Sequence, residues 1–155
     1  MWKIELTDLV STRALGVALG HVACSGTRVA LEGDLGAGKT SLAQGVGIGL
    51  GVDVPVVSPT FVLLAEYEAG RLPLLHGDAY RLAPGEAEAI GMDEAIETWP
   101  GLVLLEWADR FPDLIGEEHL RVRLLYSEGG RCAEVTAIGG RHLDVLQRWQ
   151  AEHCE

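Results

Sequence analysis

Eight consecutive residues, Gly33-Asp34-Leu35-Gly36-Ala37-Gly38-Lys39-Thr40, constrain this chain more than any other feature. They fit G-x-x-x-x-G-K-[ST], the pattern of a phosphate-cradling P-loop. The glycines let the backbone bend until its N–H groups converge on phosphate oxygens, and the helix that follows adds its positive dipole end. In this pattern Lys39 reaches the β and γ phosphates and Thr40 offers its hydroxyl to Mg²⁺. Ser41, the next residue, joins the loop as a candidate nucleotide contact. With 20 Gly, 2 Lys and 12 Ser plus Thr in 155 residues, shuffling gives on the order of 0.003 chance matches to the four fixed positions. One of the two lysines stands where the pattern demands it; the other is Lys3.

The flanks suit the loop. Residues 28–32 read as a buried strand, and a helix from about Thr40 carries Leu42, Val46 and Leu50 on one face. Gly45, Gly47 and Gly49 each cost that helix roughly 1 kcal/mol relative to alanine. Either tight packing against the sheet compensates, or the helix is short.

The remaining pattern completes an α/β fold. Residues 3–6 read as a strand and a helix starts near Thr7. Strands are expected at 54–57 and 61–68, the latter turning at Ala69-Gly70 into 71–76 as a hairpin. Residues 84–96 read as one or two short helices broken at Gly91, and the apolar run 102–105 as a central strand ending at Glu106. Residues 120–126 and 131–138 flank Gly129-Gly130 as a second hairpin, with a helix expected at 142–152. The expectation is one P-loop NTPase-like domain over 1–155: a central mixed, mainly parallel sheet flanked by helices, plus β-hairpins. A chain of this length can bury about 70% of its unfolded surface.

Charge narrows the function. Twelve Lys plus Arg against 23 Asp plus Glu give a net charge of −11, so phosphates of a bulk nucleic-acid surface repel the chain. Any nucleic acid in its biology is expected to be gripped mainly by a partner. Cys24, Cys132 and Cys154 form neither a disulfide framework nor a zinc pattern, which fits a reducing compartment. The N-terminus lacks the features of a signal peptide, and no apolar stretch nears 18 residues. A soluble, cytoplasmic protein without membrane association is expected.

A P-loop also needs a carboxylate for its metal, usually at the end of a neighbouring apolar strand. Glu106 meets that description, although Asp is the usual residue. Asp78, in His76-Gly77-Asp78-Ala79-Tyr80-Arg81-Leu82, is the rival, with turn capping as its ordinary role. Thr60, in Ser58-Pro59-Thr60-Phe61, is a loop hydroxyl that could sense a γ-phosphate or position water, or simply belong to a proline turn.

Taken in order, GDLGAGKT, SPTF, EY, RLPLLHGDAYRL and LLEW resemble the TsaE family, bacterial P-loop ATPases needed to make N6-threonylcarbamoyladenosine beside the anticodon of ANN-decoding tRNAs. The resemblance runs from about Thr12 to Trp107 and on to Arg131. It implies a Walker A motif at Gly33–Thr40 and a Glu-for-Asp Walker B at Glu106. It also implies an essential Asp78, a switch-like Thr60, Thr12 near the adenine and Arg131 near the base or ribose. Trp107 matches the tryptophan that follows the Walker B acid. The implied cofactors are ATP or ADP with Mg²⁺, with Thr40, Glu106 and Asp78 as metal candidates. The implied partners are TsaD, which transfers the threonylcarbamoyl group, and TsaB, with tRNA met only through the complex. Gly77 departs from the family, which commonly has a bulky apolar residue there.

Rival readings fit less well. A small-molecule kinase closes an arginine-bearing lid, yet residues 83–99 hold five acids and no Arg or Lys. A GTPase reads guanine with Asn-Lys-x-Asp, and no lysine follows Lys39. A nucleotide-dependent binding module with little turnover would carry the same motifs and stays open.

Overall fold

Among the described residues the strands and α-helices run in the order β1 (Trp2–Leu6), α1 (Leu9–Val22), β2 (Arg28–Gly33), α2 (Lys39–Leu50), β3 (Leu64–Tyr67), β4 (Leu74–Asp78), α3 (Glu86–Ala89), α4 (Met92–Thr98), β5 (Leu102–Glu106), β6 (His119–Ser127), β7 (Gly130–Ile138) and α5 (Gly140–His153). The computed structural model describes residues 1–34, 36–57, 64–80 and 82–154. Among these residues the strands form one sheet in the order β1-β7-β6-β2-β5-β4-β3. β6, β2, β5 and β4 pair in parallel, whereas the outer ladders are antiparallel. Because β1 reverses the already reversed β7, five of the seven strands share one direction. The sheet is mixed and mainly parallel, with β3–β4 and β6–β7 as the two hairpins, as the sequence implies.

Helices cover both faces, which is why β2 and β5 are apolar throughout their middles. On one face Leu15 and Leu19 of α1, Leu42 and Val46 of α2, and Trp149 of α5 pack over Leu31, Leu104 and Val122. Trp149 is fully buried, and its indole N–H donates to Leu15 O at 2.9 Å. On the other face Ala87, Met92 and Ile96 of α3 and α4 pack over Leu75, Val103 and Leu105. Gly91, at φ +77°, separates these two short helices. Among the described residues no helix is long and apolar enough to cross a membrane.

Two expectations need correction. Residues 54–57 are not a strand. Pro55 has no N–H to give a ladder, and Val56 is buried against Gly47 of α2 while Val54 and Val57 face out. The apolar run therefore plugs a helix instead of joining the sheet. The glycines of α2 do not shorten it, and the packing that compensates them is mainly not with the sheet. Gly45 and Gly49 lie back to back with Gly16 and Gly20 of α1, so close that a Cβ on any of the four would strike the other helix's backbone. Gly47 makes room for Val56. Two helices in main-chain contact are the device that fixes α2, and with it the loop, against α1.

Candidate functional site

The loop leaves β2 at Gly33 and enters α2 through Gly38, whose φ of +108° is a left-handed conformation favouring glycine. Gly36, at φ +81°, meets the same demand. Ala37 N–H donates to Asp34 O and Leu42 N–H to Gly38 O, both at 3.0 Å, so the loop closes on itself and the helix begins at once. Leu35 lies outside the described residues, as does Thr60.

In the loop Asp34, Gly36 and Thr40 are exposed, whereas Ala37 and the lysine are buried. Lys39 is 6% exposed. Its ammonium turns back to donate to Gly33 O and, at 3.2 Å, to Asp34 O. It also stands 3.9 Å over the centre of the Trp107 ring. Burial lowers its pKa, while Glu106, Asp78, Asp34 and Asp109 pull the other way. Ser41, behind it, is buried in the first turn of α2.

Two residues far away in sequence support the loop from outside. Thr12 of α1 is fully buried, its hydroxyl donates to Asp8 O at 3.2 Å, and its methyl lies against Gly38. Arg131, at the start of β7, donates through Nε and Nη2 to Gly36 O at 3.3 and 2.9 Å and lies 5.2 Å over the Tyr126 ring. Tyr126 carries no motif, and sequence reasoning passed it over.

The acids arrive from the sheet. β4 and β5 are parallel neighbours whose register sets Asp78 opposite Glu106 at their carboxyl ends. Glu106 is 3% exposed, and its Oε2 lies 2.6 Å from Nε2 of His76. Asp78 accepts from Tyr80 N–H at 2.9 Å. Burial raises its pKa and Glu106 adds to the rise, against the Tyr80 N–H, His76 and Lys39. Trp107 follows with φ +60°, the single positive φ outside glycine among the described residues. It is held by its N–H on Leu31 O at 3.0 Å and by a ring contact to Tyr80 at 4.9 Å. His76 is the functional candidate that motif reading missed. Its signal was a lone imidazole in the strand Leu74–Asp78, two residues before Asp78 and so on the same face.

Beside this corner lies a cavity of about 170 Å³ lined by Gly33, Asp34, Trp107 and Arg123 among others. A larger groove of about 610 Å³ runs between α3, α4 and residues 110–116, on the opposite side of the sheet from α1 and α2 and apart from the loop.

A mixed sheet covered by helices, with a glycine loop joining its central strand to a helix and acids at the ends of two neighbouring strands, defines a P-loop NTPase-like α/β fold. A crystal structure of Bacillus subtilis YdiB superposes with a TM-score of 0.77 at 28% identity, covering 97% of this chain and 93% of that one. The family described as "Threonylcarbamoyl adenosine biosynthesis protein TsaE" matches residues 6–133. The tRNA threonylcarbamoyladenosine biosynthesis protein TsaE of Nostoc sp. is 48% identical over 94% of this chain and 92% of its own length. Its Bacillus subtilis counterpart is 38% identical over 84% and 82%. The chain belongs to the TsaE family.

Proposed function

We propose that this chain binds and hydrolyses ATP with Mg²⁺ as a subunit of the machinery that makes N6-threonylcarbamoyladenosine at position 37 of tRNA, and that its turnover resets or regulates a TsaB–TsaD complex. Family membership ties the chain to threonylcarbamoyladenosine biosynthesis. One observation carries the nucleotide reading: the lysine of the P-loop pattern and two carboxylates from adjacent strand ends share one corner.

The donors there suit Mg²⁺. Thr40, Asp78 and Glu106 offer hard oxygens. Among the described residues no cluster of three or more His, Cys, Asp or Glu could hold a metal alone. A cation held by one or two carboxylates plus nucleotide phosphates needs no such cage.

In this reading the loop from Gly33 to Ser41 wraps the phosphates, and Lys39 exchanges the Gly33 and Asp34 carbonyls for β and γ oxygens. Thr12 and Arg131 flank the loop where base or ribose would lie. Thr40 and Glu106, with Asp78 beside them, would hold Mg²⁺, which when bound offsets charge on the phosphates. Asp78 or Thr60 places the attacking water. The net charge of −11 favours docking on a protein partner over direct contact with tRNA.

The test is calorimetric titration with Mg-ATP, followed by phosphate release by the chain alone and with TsaB, TsaD and tRNA. ATP affinity should fall at least tenfold in K39A, and turnover should rise strongly only with partners present. Equal affinity in wild type and K39A would sink the phosphate assignment. Brisk turnover indifferent to the partners would sink the resetting role.

A further inference from the structure

His76 is fully buried in β4, between neighbours that are apolar. Leu74, two residues earlier on the same face, shows what that environment ordinarily takes. An imidazole there must be satisfied, yet Nδ1 has no hydrogen-bond partner among the described residues. Only Nε2 is engaged, at 2.6 Å from Glu106 Oε2.

At that separation a proton lies between the two atoms. With the proton on Nε2, the ring donates to the carboxylate and Nδ1 keeps a bare lone pair. The other neutral tautomer would set two acceptors against each other. Opposite a carboxylate oxygen, Nε2 is therefore assigned as the donor. Strand register explains the reach: His76 is opposite Leu104, so its side chain bridges diagonally to Glu106, two residues further along β5 on the same face.

Resting on the Mg-ATP reading above, we infer that His76 is a positioning residue: its Nε2–H holds Oε2 of Glu106 and so sets the plane of the carboxylate presented to the nucleotide's divalent cation. A glutamate has three side-chain torsions, one more than the aspartate usual at this place, and thus more freedom to remove. The buried imidazole removes it, in the way an outer partner orients a metal-binding carboxylate elsewhere.

Two amides that differ only in reach separate this role from packing. Gln places its N–H₂ close to where His places Nε2, whereas Asn cannot reach Glu106. ATP affinity of wild type, H76Q and H76N is measured by titration in EDTA and then over a Mg²⁺ series, with melting curves to confirm the fold. All three should bind ATP equally in EDTA. H76N should need about 10–100-fold more Mg²⁺ for its affinity gain, and H76Q should stay within about threefold of wild type. An H76N variant with wild-type Mg²⁺ dependence overturns the inference. So does an H76Q variant as defective as H76N with a normal melting curve, which would mean that imidazole shape matters and the donor does not.

Should H76N alone fold poorly, the double variant H76N/E106Q decides. A residue acting through Glu106 adds no further Mg²⁺ defect to E106Q, while an additive loss overturns the role. Wild type that binds no ATP sinks the nucleotide reading itself; wild type that binds it with an indifferent H76N sinks only the role of His76.

Discussion

Lys39 brings the loop's single ammonium into a corner where it already has partners: two loop carbonyls and the face of Trp107. In the proposed function phosphate binding would displace those contacts, the cation–π contact, worth about 0.5–2 kcal/mol, among them. Trp107 itself holds a left-handed conformation that costs a bulky residue about 1–3 kcal/mol. Its N–H on Leu31, its Tyr80 contact and the ammonium above it are the interactions that maintain it. Nucleotide should therefore alter Trp107 emission as Lys39 leaves the ring. Comparing wild type with W107F isolates that signal from Trp2, Trp99 and Trp149, and K39A should abolish it. An ATP-dependent signal that persists in W107F would place the change elsewhere. At this scale the sequence shows residues whose spacing is local, which is why Gly33, Lys39 and Thr40 were readable as a set. His76 and the Lys39–Trp107 contact were not. His76 meets Glu106 across 30 residues of chain, through a register that no local pattern encodes.

α1 and α2 are bound through main-chain contact at Gly16–Gly45 and Gly20–Gly49, and this pairing carries the helix that the loop opens. A methyl at Gly45 meets the Arg13 carbonyl, a backbone atom that cannot swing aside. G45A should thus destabilise by about 1–3 kcal/mol or more through overpacking, despite alanine's better helix propensity. Gly140, in the first turn of α5, has nothing within 4 Å of where its Cβ would be and no positive φ. G140A should be neutral or stabilising by about 0.4–1 kcal/mol. Chemical denaturation of both variants checks the contrast, and a G45A as stable as wild type would show that the helices slide apart freely. Periodicity placed α1, α2 and α5, and the turn signals Ala69-Gly70 and Gly129-Gly130 placed both hairpins. The second strand of the first hairpin nevertheless runs over Leu74–Asp78 and not 71–76, and residues 61–63 of its first strand lie outside the described residues. Periodicity failed at residues 54–57, where apolar character served a contact with α2, and it could not say which partner the α2 glycines face.

Across the whole molecule, 23 acids against 12 Lys plus Arg make acidification a relief of self-repulsion. One buried group opposes that relief. His142, in α5, accepts the Arg28 N–H at 3.0 Å through Nε2, so its proton sits on Nδ1, which has no partner among the described residues. Burial lowers its pKa from 6.5 to about 4, and the positive charges of Arg141, His119 and Arg28 act in the same direction. The unfolded chain takes up a proton below pH 6.5 that the folded chain refuses until about pH 4. This contribution to stability is therefore complete above pH 6.5 and declines as the pH falls from 6.5 toward 4. A glutamine at this position offers a carboxamide oxygen to the same Arg28 N–H and does not titrate. H142Q should lose less of its thermal midpoint than wild type over that window, with the two curves parallel above pH 7. Carboxylate effects are common to both proteins and cancel in the difference. Identical slopes between pH 6.5 and 4 would mean that His142 takes up its proton in the fold as readily as in the open chain.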